Sequence, residues 1–173
     1  MSHPEPVESA TSSTGATRSP DSANGTPTGI DPRAPRFSAA ITAVLLLAVV
    51  VLSVAGASIA AWALLTVLSA IFLWGAAAGV KRHPFGAIYR AWVRPRLAPP
   101  TELEDPRPPT FAQLVGFIVT VVGVVLGLLG FEYAVAIAAG FAFIAAFLNA
   151  VFDFCLGCQI YLLLVRARLV QRA

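Results

Sequence analysis

The chain has 173 residues, 57% of them hydrophobic and only 12% charged, whereas a soluble domain carries about 25% charged residues. Mean hydropathy is +0.77, and a globule of this length cannot keep so much apolar surface away from water. An ordinary soluble domain is therefore excluded, and lipid is the natural solvent. The net charge of +3 comes from basic residues beside apolar spans, without a dense patch interleaved with aromatics, so no nucleic-acid partner is expected.

Residues 1–36 are rich in Ser, Thr, Pro and Gly and poor in large apolar side chains. Burial cannot offset their ordering entropy, so a disordered cytoplasmic tail is expected. No secretory signal peptide is expected in so polar a stretch. Lys81 is the one lysine among 12 basic residues, and Ala, Val and Gly are abundant. That usage suggests a GC-rich bacterial genome.

Four apolar segments follow, at 37–54, 59–80, 111–129 and 133–152. Each is near the ~20 residues that a helix needs to cross a bilayer. Backbone groups in lipid must pair within their own segment, so helices are expected. Ala55 to Ser58 and Gly130 to Glu132 read as short turns. The expected fold is all-α: a polytopic membrane protein whose four transmembrane helices form two hairpins.

The linker 81–110 differs in character. It holds Lys81, Arg82, Arg90, Arg94, Arg96 and Arg107 against Glu102, Glu104 and Asp105. Phe85 to Val93 is expected to form a short interfacial helix, with Phe85, Ile88, Tyr89, Trp92 and Val93 on one side. Pro95, Pro99, Pro100, Pro106, Pro108 and Pro109 should then keep the chain extended.

Basic residues precede the first segment (Arg18, Arg33, Arg36), fill the linker and close the chain (Arg166, Arg168, Arg172), while the short turns carry none. The positive-inside rule places both termini and the linker in the cytoplasm of a bacterial plasma membrane. Glu132 is the one charged side chain expected on the far side. From Tyr133 to Val165 the chain stays largely apolar, about 50 Å as one helix and too long for a single crossing without steep tilt. Asp153, Gly157 and Gln159 interrupt it, so a break near Asp153 is expected. A short interfacial helix over about 154–168 and a tail at 169–173 would follow.

The chain's two cysteines form Cys155-Leu156-Gly157-Cys158. A C-x-x-C can close a small disulfide, carry a reactive thiolate or supply half a metal site. With Asp153 as the N-cap of a restarted helix, Cys155 falls in the first turn, where the helix dipole favours thiolate. Asp153 itself opposes a second anion. Gln159 lies beside the pair, and Asn149 is one turn before Asp153. His83 at the membrane edge reads either as part of a helix stop or as a proton donor to the cysteines. Arg94, Arg96 and Arg107 can supply positive potential. Only His3 and His83 are histidines, so zinc would need a dimer contributing four thiolates. Haem attachment is excluded because Gln159 stands where a His is required. No cofactor and no metal are assigned. Without a second cysteine pair, the chain alone cannot relay disulfide exchange across the bilayer. Gly75 with Gly79 and Gly123 with Gly127 are G-x-x-x-G pairs, expected to serve packing within the chain more than a dimer, although an oligomer remains open.

Taken together, His83-Pro84-Phe85-Gly86, Arg94-Pro95-Arg96-Leu97, Glu104-Asp105-Pro106-Arg107-Pro108-Pro109, Phe111-Ala112-Gln113, Gly116-Phe117, Asn149-Ala150 and Phe154-Cys155-Leu156-Gly157-Cys158 form a specific pattern. The chain resembles the bacterial membrane family called domain of unknown function 4395, over roughly Pro35 to Val165. The family has no settled activity. The resemblance implies a small polytopic protein and a cytoplasmic thioredoxin-like or sulfurtransferase partner.

Two functional readings follow. In the first, Cys155 and Cys158 are the catalytic pair of a thiol–disulfide or sulfur-transfer protein. In that reading Cys155 is the more reactive sulfur, and the resting state is dithiol in a reducing compartment. In the second, the chain is a non-catalytic membrane scaffold or transporter subunit whose cysteines are structural or bind metal. Whether the protein is an enzyme stays open at this level.

Overall fold

The computed structural model describes residues 29–100, 102–131 and 133–167. Arg18, Glu132, Arg168 and Arg172 lie outside the described residues, as do most of the expected tail, residues 1–28, and His3. Among the described residues every regular element is helical: α1 (Arg33–Val54), α2 (Ser58–Ala78), α3 (Pro84–Ile88), α4 (Arg107–Leu128), α5 (Ala134–Phe152) and α6 (Leu156–Arg166). α1, α2, α4 and α5 are each long and apolar enough to cross a membrane.

Their packing is a closed ring. α1 lies mainly against α5, α2 against α4, and the contacts α1–α2 and α4–α5 complete it. Leu46, Val49, Ala61 and Leu65 are fully buried, and Leu68 nearly so; Ala138, Ala139 and Ala142 face them from α5. Small residues permit this approach. A Cβ on Gly123 would run into Ala138, and one on Gly127 would lie 2.8 Å from Val135 Cγ2. Both glycines of the α4 G-x-x-x-G pair therefore serve contacts inside the chain. Trp62 Nε1 donates to the Val124 carbonyl at 3.1 Å and ties α2 to α4. Outward, Val44, Leu47, Val51, Val67, Ile118, Val122 and Ile144 are exposed. So much apolar surface is a liability in water and ordinary in lipid.

α1 and α4 end alike. After each, a glycine with positive φ (Gly56 at 80°, Gly130 at 89°) turns the chain. The following N–H then reaches back to a last-turn carbonyl, Ala57 to Leu52 at 2.9 Å and Phe131 to Leu126 at 3.1 Å. This is the glycine-dependent helix ending, which satisfies carbonyls that have no partner within the helix.

Three expectations are corrected here. The segment 29–36 is not a loose tail. α1 begins at Arg33, and Ile30 pairs with Glu104 through N–H to O contacts of 2.9 Å in both directions. Asp31 accepts from Tyr89 Oη at 2.9 Å and from Arg33 N at 3.0 Å. Second, α4 starts at Arg107, ahead of the expected 111, with Pro106 as N-cap. Pro108 and Pro109 occupy its first turn, where the missing N–H groups would lack helical partners anyway. Third, the aromatic stretch after His83 does not present one face. α3 passes into a π-helical turn at Tyr89–Val93 and a 3₁₀ turn at Arg94–Arg96. Tyr89 is buried against Phe37, with ring centroids 5.7 Å apart, while Ile88 and Trp92 are exposed.

Candidate functional site

α5 stops at Phe152, and Asp153 takes the left-handed conformation with φ 59°. Aspartate tolerates that region better than most residues. Phe154 N then bonds back to the Leu148 carbonyl at 3.2 Å. The chain is thereby redirected, and α6 starts at Leu156. The expected break is present, but the capping roles differ from expectation. Asp153 ends α5, and Cys155 is the N-cap of α6, its Sγ accepting from Cys158 N at 3.2 Å. The cap follows from backbone geometry, since Cys155 has extended φ and ψ and Asp153 does not.

Cys155 and Cys158 are joined as a disulfide, with Cα atoms 5.2 Å apart, inside the ~7 Å limit for bridging. The structure thus holds the oxidised form of the pair expected to rest as a dithiol. Gly157 makes the site possible. A Cβ there would lie 2.5 Å from Ala112 Cα, so the start of α6 rests directly on α4. Phe111 and Tyr161 continue that contact, ring centroids 5.7 Å apart.

The disulfide lines a cavity of about 930 Å³ among α1, α4, α5 and α6 and the segment after α2. His83, Arg94, Asn149, Asp153, Cys155, Cys158 and Gln159 all contribute to its wall. Arg96 and Arg107 do not; both are exposed, and Arg107 N bonds to Asp105 Oδ1 at 2.9 Å. Sequence reasoning missed Arg36, Tyr89, Arg90, Glu104 and Gln113, which also line the cavity. Gln113 stood within a quoted motif, but no local pattern marks it as buried.

Charged and neutral polar side chains both line the cavity. Arg36 Nε lies 3.5 Å from Asp153 Oδ1 on exposed surface. This partner offsets the carboxylate expected to oppose a thiolate. Burial raises the carboxyl pKa of Glu104, helped by the charges of Asp153 and Glu102. His83 is 3% exposed, and burial lowers its pKa to about 4. It is a neutral imidazole near pH 7, so it offers a hydrogen bond more readily than a proton. His83 Nδ1 and Gln113 Oε1 are buried without a hydrogen-bond partner. Both side chains pack against Gly75, where a Cβ would lie 2.7 Å from His83 Cδ2 and 2.9 Å from Gln113 Cγ. Among the described residues, no group of three or more His, Cys, Asp and Glu side chains gathers to hold a metal.

Neither a curated protein nor a solved structure matches the chain. Residues 30–166, well over half its length, match the model of the family described as Domain of unknown function (DUF4395), and the chain belongs to that family.

Proposed function

We propose that this chain is an integral membrane thiol–disulfide protein whose catalytic pair is Cys155 and Cys158. The four apolar helices cross the bacterial plasma membrane as two hairpins. The linker and both termini face the cytoplasm, and α6 lies at that interface. The observation that carries the reading is a bridgeable C-x-x-C at a helix start on the wall of a large cavity. A helix N-terminus stabilises sulfur anion, and the thiolate is the nucleophile in exchange.

The chemistry is two successive displacements. A thiolate of a soluble thioredoxin-like partner attacks Cys155 Sγ. A mixed disulfide forms, the Cys155–Cys158 bond breaks, and Cys158 leaves as thiolate. The partner's second thiolate then attacks its own sulfur in the mixed disulfide and releases Cys155. Two electrons have passed from partner to chain. With a sulfurtransferase, Cys155 would accept the sulfane sulfur and Cys158 would displace it as hydrosulfide, closing the disulfide.

Single Cys→Ser variants test this in membranes. Given the partner in its oxidised form, Cys158→Ser should accumulate a mixed disulfide between Cys155 and the partner, and Cys155→Ser should not. If both single variants and the double variant support the cellular function as well as the parent, the thiol reading is wrong and the chain is a scaffold.

A further inference from the structure

Resting on the thiol–disulfide reading, we propose that the cavity beside Cys155 and Cys158 binds a lipid-soluble quinone, which takes the electron pair from the dithiol. Three observations converge on this ligand class. The cavity is large, about 930 Å³, near the top of the range of about 300–1,000 Å³ for small-molecule sites. Part of its wall is apolar and comes from the long apolar helices, with Phe72 of α2, Val119 of α4 and Ala145 of α5. A carrier dissolved in the bilayer is suited to such a wall. Finally, His83 Nδ1 and Gln113 Oε1 are buried polar atoms with no partner, and both side chains pack against Gly75.

Orphaned buried polar atoms call for an explanation, and a ligand group is one. A neutral imidazole and a side-chain amide can each present an N–H to a carbonyl oxygen, once the tautomer and the amide orientation suit the ligand. A flat neutral molecule with carbonyl oxygens and an apolar body satisfies both the wall and this polar pair. A small sulfur oxyanion would leave most of the volume unfilled and would meet acidic as well as basic groups, since Asp31, Glu104 and Asp153 share the lining with Arg36, Arg90 and Arg94.

The step balances without another reactant. Two thiol S–H bonds break, the Cys155–Cys158 bond forms, and two electrons and two protons pass to the quinone oxygens to give quinol. Together with thiol exchange, the net reaction oxidises a soluble dithiol at the expense of the membrane quinone pool. One cysteine pair is enough, because the electrons leave within the bilayer and need no thiol on the far side.

The test uses the full chain in phosphatidylcholine nanodiscs freed of quinone. The probe is a decyl-tailed, fully substituted benzoquinone, which has no open ring position for thiol addition. Equilibrium dialysis should show one bound equivalent per chain. Adding the probe to protein reduced with dithiothreitol and desalted should yield one equivalent of quinol by absorbance, with loss of both thiols. Cys155→Ser with Cys158→Ser should bind the probe without reducing it. Gln113→Leu should weaken binding about tenfold, the loss expected for one hydrogen bond of about 1.4 kcal/mol. An oxidised protein that is reduced by a thioredoxin-like dithiol, yet binds no more probe than empty nanodiscs, overturns the quinone proposal and leaves thiol exchange standing. A protein inert to both dithiol and quinone overturns the thiol reading itself.

Discussion

Gly157→Ala is the sharpest test of how the site is built. The added methyl would lie 2.5 Å from both Cα and Cβ of Ala112. Carbon atoms settle at about 3.5–4.0 Å, so α6 must retreat from α4 by about 1 Å. The obstacle is partly backbone inside a long helix, and no flexible side-chain tip can give way. Overpacking of this kind costs about 1–3 kcal/mol. The crowded residue lies between Cys155 and Cys158, whose cap bond spans 3.2 Å, so the backbone that aligns the two sulfurs must adjust with it. We therefore expect a lower unfolding temperature in detergent and slower closure of the disulfide after reduction. Thermal unfolding and timed alkylation of the two thiols read these effects. Ala112→Gly should restore only part of each, because it removes the Cβ and leaves the Cα in place. A Gly157→Ala protein with the parent's unfolding temperature and closure rate would show that α6 does not rest on α4 as described.

Two further outcomes are expected. His83 takes a proton near 6.5 when unfolded and near 4 when folded. Between those values the unfolded chain binds more protons, so stability rises with pH across that window and is lost on acidification, by about 3 kcal/mol in all. His83→Gln should flatten this part of the profile, and an equally steep profile in that variant would assign the proton elsewhere. For topology, reporters fused after Arg18 and after Arg168 should be active only in their cytoplasmic form, and one fused within 55–58 only in its periplasmic form. A periplasm-dependent reporter active at either terminus would refute the proposed orientation.

The four long apolar helices were legible because length and apolar composition are properties of each segment alone. The break at Asp153 was legible for a related reason: polar residues fall where a crossing must end. What escaped depends on distant partners. Residues 29–36 carry one large apolar side chain, Ile30, yet the Asp31 carboxylate meets a tyrosine 58 positions away, and no local pattern announces that. The start of α4 was misplaced because Pro106, Pro108 and Pro109 suit a first helical turn as well as an extended chain. Cys155 and His83 stood out by residue type. The burial of His83, its place with Gln113 beside Gly75 and the cavity they share required the packed ring of helices.

The position of the cysteines also couples redox state to local structure. Cys155 Sγ is both disulfide partner and acceptor for the Cys158 N–H. Reduction removes the covalent closure, but a thiolate accepts a hydrogen bond more strongly than a disulfide sulfur does. The loss of one restraint on the start of α6 is thus partly offset by the gain of another. Asp153 in its left-handed turn and Gly157 against Ala112 hold the same segment from either side without using sulfur. We therefore expect the helix start to keep its place on reduction. The proposed exchange at the pair would then need movement of the two sulfurs more than a rearrangement of the fold, a form of preorganisation.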